Sequence, residues 1–122
     1  MKCKRFNYKD YKNCYFEVGN YLYNSQSMYI QIKNKEYGVL YTATVNMQDY
    51  MYLPDTATIK NYSENDGMTE FLQKLGIVEE IYTRRKCHPL AEEDETIDFC
   101  QINVDKLKEY SEKFNYEWKI WL

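Results

Sequence analysis

The chain has 122 residues, which suits one domain of ordinary size and leaves too little for two. Its 16 basic and 19 acidic side chains leave a net charge of −3, so the molecule as a whole is not a basic clamp for nucleic acid. Tyr (14), Phe (5) and Trp (2) together equal Leu, Ile and Val combined, while Ala is scarce; this favours sheet faces and half-buried surfaces over a helical bundle.

The basic segment 1–13 interleaves Lys2, Lys4, Arg5, Lys9 and Lys12 with Phe6, Tyr8 and Tyr11. Such a mixture can hold a single nucleic-acid strand by phosphate contact and stacking, but a frayed, solvated terminus is the simpler expectation. Cys14 to Tyr23 is rich in aromatic and branched residues and predicts a strand, with Gly19 as a candidate bulge. After a turn at Asn24–Ser27, Met28, Ile30 and Ile32 alternate with Tyr29, Gln31 and Lys33. A second turn at Asn34–Gly38 leads to Val39, Tyr41, Ala43, Val45 and Met47 on one face, so residues 28–47 read as an antiparallel hairpin. Pro54 makes 48–55 an irregular connection, and Thr56–Lys60 reads as a short strand.

Met68, Phe71, Leu72 and Leu75 fall at helical spacing, with Ser63 or Asn65 as the cap and Gly76 as the terminator. Ile77–Tyr82 is extended, and 83–95 reads as a charged loop. Ile97–Ile102 is the last core strand, and Asn103 caps a second helix whose Val104, Leu107, Tyr110 and Phe114 share a face. A tail, 116–122, closes the chain. Strands in a meander with one helix inserted and one following predict an α+β fold: an antiparallel sheet of about five strands with two helices packed on one face.

The order of residues in the hairpin and first helix resembles the small family of unknown function called DUF4313. The resemblance rests on Tyr23-Asn24, Ile30-Gln31-Ile32, Tyr41 to Asp49, Leu53-Pro54, Phe71-Leu72 through Leu75-Gly76-Ile77, and Val104-Asp105-Lys106-Leu107, spanning about residues 20–110. Two positions depart from the family pattern: Cys87-His88-Pro89 with an acidic insertion replaces a Cys-Thr-Tyr-Pro-like stretch, and Met68 stands where the family has Trp. The resemblance implies a protein of bacterial mobile elements. By analogy, small non-catalytic proteins of such elements antagonise host defence, CRISPR effectors included, by binding.

No constellation here carries an obvious reaction. Cys87 and His88, the only histidine, are sequence neighbours whose side chains point apart, and Cys87, His88 and Cys100 lack a Cys-x2-Cys pair, so neither a catalytic nor a metal site is expected and no cofactor is implied. The four cysteines are too sparse for a disulfide scaffold and read as free thiols. Met1 to Asn7 has no apolar stretch after its positive charges, and no run reaches the ~20 apolar residues of a membrane span, so a cytoplasmic location is expected.

Glu92, Glu93, Asp94 and Glu95, followed by Asp98, could mimic a phosphate backbone, or could simply be neutralised by Arg84, Arg85 and Lys86. Tyr37, Tyr50, Tyr52, Tyr62, Trp118 and Trp121 lie outside the best core positions and suggest an adhesive patch. The expectation is therefore a non-enzymatic inhibitor that binds a host defence protein. Tyr50, Tyr52 and Trp121 would give contact area, and Arg84, Arg85, Lys86 and Glu92–Glu95 orientation. The alternative is a module that binds a small molecule or nucleotide ligand, using Arg84, Arg85 and stacked tyrosines.

Overall fold

The computed structural model describes residues 3–23, 26–47 and 52–118. From Cys3 on, the basic segment is not frayed: β1 (Phe6–Tyr8) folds back on β2 (Tyr11–Asn20), with Phe6 and Tyr8 buried. Its cations are largely occupied. Lys4 Nζ lies 2.7 Å from Glu109 Oε1, Arg5 Nη2 2.9 Å from Glu112 Oε2, and Lys9 Nζ donates to the Glu64 carbonyl at 2.8 Å. β2 pairs with β3 (Met28–Asn34) in an unbroken antiparallel register from Tyr15↔Lys33 to Asn20↔Met28. Gly19 therefore marks no bulge. It lies under the ring of its partner Tyr29, where an added Cβ would come within 2.7 Å of ring atoms. A turn in which Asn34 Oδ1 accepts the Tyr37 N–H, with Gly38 at φ 76°, leads into β4 (Gly38–Thr42). The alternation expected through Met47 fails here: the register against β3 slips within 39–41, leaving Val39 exposed while Tyr41 turns toward the core.

After Thr42 the chain changes sheets. The Ala43 N–H donates to Ile30 O on β3, whereas the Ala43 carbonyl accepts from Lys60 N–H and the Val45 N–H donates to Thr58 O, both on β5 (Thr56–Asn61). Thr44 bridges Ile59, and its hydroxyl accepts the Ile30 N–H. β5 opens a second sheet in the order β5-β7-β6, where β6 is Val78–Lys86 and β7 is Thr96–Ile102. The first four residues of the expected charged loop are thus strand, because Thr83 to Lys86 pair with β7.

Between β5 and β6 lie a 3-10 turn, Ser63–Asn65, and α1 (Met68–Lys74). The predicted apolar stripe is correct: Met68 and Leu72 are buried, and Phe71 and Leu75 pack against the core. Its expected cap is not. Gly67 at φ 84° holds the cap position, Asn61 Oδ1 accepts the Thr69 N–H, and the buried Asn65 donates instead to Thr42 O at 2.6 Å, tying the turn to the sheet corner.

Asn103 caps α2 (Val104–Glu109) as expected, its Oδ1 accepting the Lys106 N–H. The helix ends at Glu109. Phe114, expected on its apolar face, belongs instead to β8 (Ser111–Phe114), which runs parallel to β2 on the edge β1 leaves open. Continued helix would have left that β2 edge without backbone partners, and the chain supplies them, as in Asn115 N–H to Val18 O. The fold is α+β and mainly antiparallel, with eight strands in a five-stranded and a three-stranded sheet among the described residues, and both helices add to a shared core.

The start of the tail is structural. Tyr116 is buried, its hydroxyl accepts the Asp55 N–H at 3.0 Å, and Asn20 and the Glu117 backbone exchange two hydrogen bonds. Tyr116→Ala should therefore cost about 3 kcal/mol or more in urea unfolding, as for other buried aromatics, whereas Glu117→Ala, which keeps those backbone bonds, should stay within about 0.5 kcal/mol.

Candidate interaction surface

The charged hairpin between β6 and β7 is largely occupied with itself. Asp98 is fully buried in the middle of β7, and a carboxylate there needs donors on both oxygens. Arg84, its register partner on β6, supplies Nε–H to Oδ1 at 2.9 Å and Nη2–H to Oδ2 at 3.0 Å, and the Thr69 hydroxyl on α1 donates to Oδ2 at 2.6 Å. The hydrogen bond to Asp98 raises the Arg84 pKa, so this guanidinium stays charged and committed. Lys86 Nζ lies 3.2 Å from Glu93 Oε1. The loop closes through Cys87 N–H to Glu95 O and Glu92 N–H to Glu95 Oε1, with Ala91 tucked in and Arg85, Glu92, Glu93 and Asp94 exposed.

Of the aromatic residues expected to form the patch, Tyr50 and Trp121 fall outside the described residues. Tyr52 is a correction: it is 2% exposed and offers no contact area. Its hydroxyl accepts the Met47 N–H and donates to Thr58 Oγ1, which in turn donates to the Val45 carbonyl, a relay that spans the sheet corner. The polar end of the ring is thus satisfied indoors, which a loop position gives no hint of. Tyr37 is exposed, Tyr62 is half-buried under Lys60, and Trp118 packs on the core.

Two further large side chains are exposed elsewhere. Leu22 and Tyr23, at the end of β2, are 94% and 80% exposed. They border a groove of about 490 Å³ with Asn20, Tyr21, Tyr29 and Asn46. Tyr21 and Asn46 also line a second groove, of about 520 Å³, which runs along β4 past Val39, Tyr41 and Tyr62. Tyr21 is held between the two by its hydroxyl, 2.9 Å from Thr44 Oγ1, and burial raises its pKa. In the second groove, Lys60 at 2.7 Å pulls the Glu64 carboxyl down to about 2. Tyr21-Leu22-Tyr23 was a missed signal: three bulky residues in succession at a turn cannot all face inward along a strand of period two.

The two buried thiols, Cys14 and Cys100, are poor nucleophiles. Burial pushes Cys100 up to about 12 and also raises Cys14, while His88 sits on the exposed loop with Nδ1 accepting the Leu90 N–H. Among the described residues no three His, Cys, Asp or Glu side chains gather as a metal-holding group, and no helix is long and apolar enough to cross a membrane. No family model, curated protein or solved structure matches the chain.

Two measurements check this description. Arg84→Ala should cost about 2 to 3 kcal/mol by leaving the buried Asp98 carboxylate short of donors, and less than half of that in an Asp98→Asn background. Because their raised pKa values leave little thiolate at pH 8, Cys14 and Cys100 should resist iodoacetamide in the folded protein and become alkylated only in denaturant, read by mass spectrometry.

Proposed function

We propose that the chain is a non-catalytic interaction protein that binds a larger partner protein through the Tyr21–Tyr23 turn and the two grooves that meet at Tyr21. The observation that carries this reading is the adjacent exposure of Leu22 and Tyr23, 94% and 80%, beside grooves walled by further tyrosines. Large apolar side chains held out of a core that has room for aromatics cost solvation free energy in the isolated molecule, and a partner surface recovers it. Tyrosine suits the role because its ring gives contact area at little conformational cost and its hydroxyl stays satisfied at the rim. The exposed carboxylates Glu92, Glu93 and Asp94 add a charged feature that orients an approaching partner more than it strengthens the complex.

The class of partner comes from the resemblance of residues 20–110 to DUF4313 and from analogy with small mobile-element proteins: a host defence complex, such as a CRISPR effector, that the chain inhibits by occupying it. The nucleotide-binding alternative draws less support, since Arg84, the first of its two cations, is already bidentate to Asp98.

The test is capture from a bacterial lysate that contains such a complex. The tagged chain should retain a stoichiometric protein, and Leu22→Asp/Tyr23→Asp should lose it while unfolding within about 0.5 kcal/mol of the parent, as surface changes do. Equal retention by the double variant would refute the assigned surface.

A further inference from the structure

We propose that the cavity at the start of β2 binds a small ligand through a phosphate monoester group, with the Lys12 and Lys35 ammonium groups pairing the phosphoryl oxygens and the Asn34 side-chain amide donating to them. The cavity lies at the opposite end of β2 from the Tyr21–Tyr23 turn, uses neither Arg84 nor Arg85, and stands apart from the protein-binding reading.

The lining reverses the sign of the molecule. Although the chain carries a net charge of −3, Arg5, Lys12 and Lys35 line this cavity of about 380 Å³ against the single carboxylate of Glu36. Two of the three cations are uncommitted. Lys33, Lys60, Arg84 and Lys86 each have a carboxylate within ion-pair distance, whereas Lys12 and Lys35, both exposed, have none among the described residues. Arg5 forms a fixed wall instead: its Nη2 is 2.9 Å from Glu112 Oε2, and its guanidinium lies over the Tyr15 ring, 4.4 Å from the centroid.

The cavity also holds a donor that lacks an acceptor. Asn34 is only 6% exposed, and its Oδ1 accepts the Tyr37 N–H at 2.8 Å, which fixes the carboxamide and leaves Nδ2 with no acceptor among the described residues. That nitrogen is not sealed. The buried side-chain atoms without a partner are on Tyr8, Ser27, Asn46 and Asn65, so an incoming oxygen can reach Asn34 Nδ2 from the cavity that Asn34 lines.

These features select the occupant by chemistry. A cationic ligand would meet three like charges, and a neutral one would leave both ammonium groups and the amide to water. A carboxylate supplies one charge on two oxygens. A phosphate monoester supplies about −1.5 to −2 charges on three strong acceptor oxygens, which matches two ammonium groups and one amide donor. The volume is of the size that small-ligand sites occupy, and the net negative charge of the chain opposes a long nucleic-acid strand.

The experiment titrates methyl phosphate into the full chain at about pH 7.5 and constant ionic strength, followed by amide correlation spectra, with methyl sulfate as the tetrahedral monoanion of the same shape and acetate as the carboxylate. Methyl phosphate should shift the Asn34 side-chain amide and the backbone amides of residues 12, 13, 35 and 36, and should bind at least about fivefold more tightly than either control. Lys12→Gln/Lys35→Gln, at exposed positions, should weaken it by about tenfold or more, and Glu36→Gln, which removes the opposing charge, should tighten it by about twofold. Asn34→Ala should weaken it as well, and the lysine double variant decides the matter if that variant does not fold. Equal response to methyl phosphate and methyl sulfate, shifts that survive the lysine double variant, shifts centred on Lys33, Lys108 and Lys113, or weaker binding by Glu36→Gln would each overturn the assignment. Displacement of methyl phosphate by a short oligothymidylate at lower phosphate concentration would give the site to nucleic acid and overturn it too.

Discussion

Ala43 to Val45 join the two sheets, and the rest of the molecule is arranged around that join. A backbone residue has one donor and one acceptor, and at Ala43 they go to different sheets, the N–H to Ile30 on β3 and the carbonyl to Lys60 on β5. Thr44 and Thr58 add side-chain bonds at the same place, Asn65 ties the 3-10 turn to Thr42, and Tyr52 closes the relay from Met47 to Val45. Ala43 itself is fully buried, where a larger side chain would meet the core packed around it. Strands that pass from one sheet to the next are an ordinary way to turn the corner of a β layer, and they cost little when every freed backbone group finds a partner.

This corner also determines where the aromatic excess goes. Phe6, Phe16 and Phe71 pack ring against ring between β1, β2 and α1, with Tyr8 and Tyr110 at the edges of that cluster. Burial pushes the Tyr8 hydroxyl up to about 12, so it remains a neutral phenol within the core. The tyrosines nearest the corner divide by whether their hydroxyls find partners indoors. Tyr52 and Tyr116 do and are buried, while Tyr23 and Tyr37 remain outside. Tyr8 is buried although its hydroxyl has no hydrogen-bond partner, so a satisfied hydroxyl favours burial of a ring without being required for it.

The second sheet meets the opposite constraint, a buried charge. Asp98 is tolerated because β6 places Arg84 directly across from it and α1 places Thr69 above it, so one carboxylate links all three elements. Breaking either contact exposes the cost of desolvating that charge, which makes the hairpin a structural unit. Its acidic tip is exposed while the arms are anchored.

Local features were legible in the sequence because they depend on residues a few positions apart. The strand periods of β2, β3 and β7, the Asn34–Gly38 turn, the apolar stripe of α1, the Gly76 stop and the Asn103 cap follow from alternation, helical spacing and capping chemistry, and so does the α+β class. Only the tertiary structure decided that Tyr52 is core while Tyr23 is surface, that Gly19 seats a ring instead of a bulge, that Asn65 serves the corner and not the helix, and that the chain after Tyr110 becomes a parallel strand. Tyr29, Thr42 and Val18 are partners well separated in sequence, and Thr58, though six residues from Tyr52, meets it only at the sheet corner; the free energy of satisfying a backbone edge or a buried hydroxyl appears only once the fold has brought such a partner near.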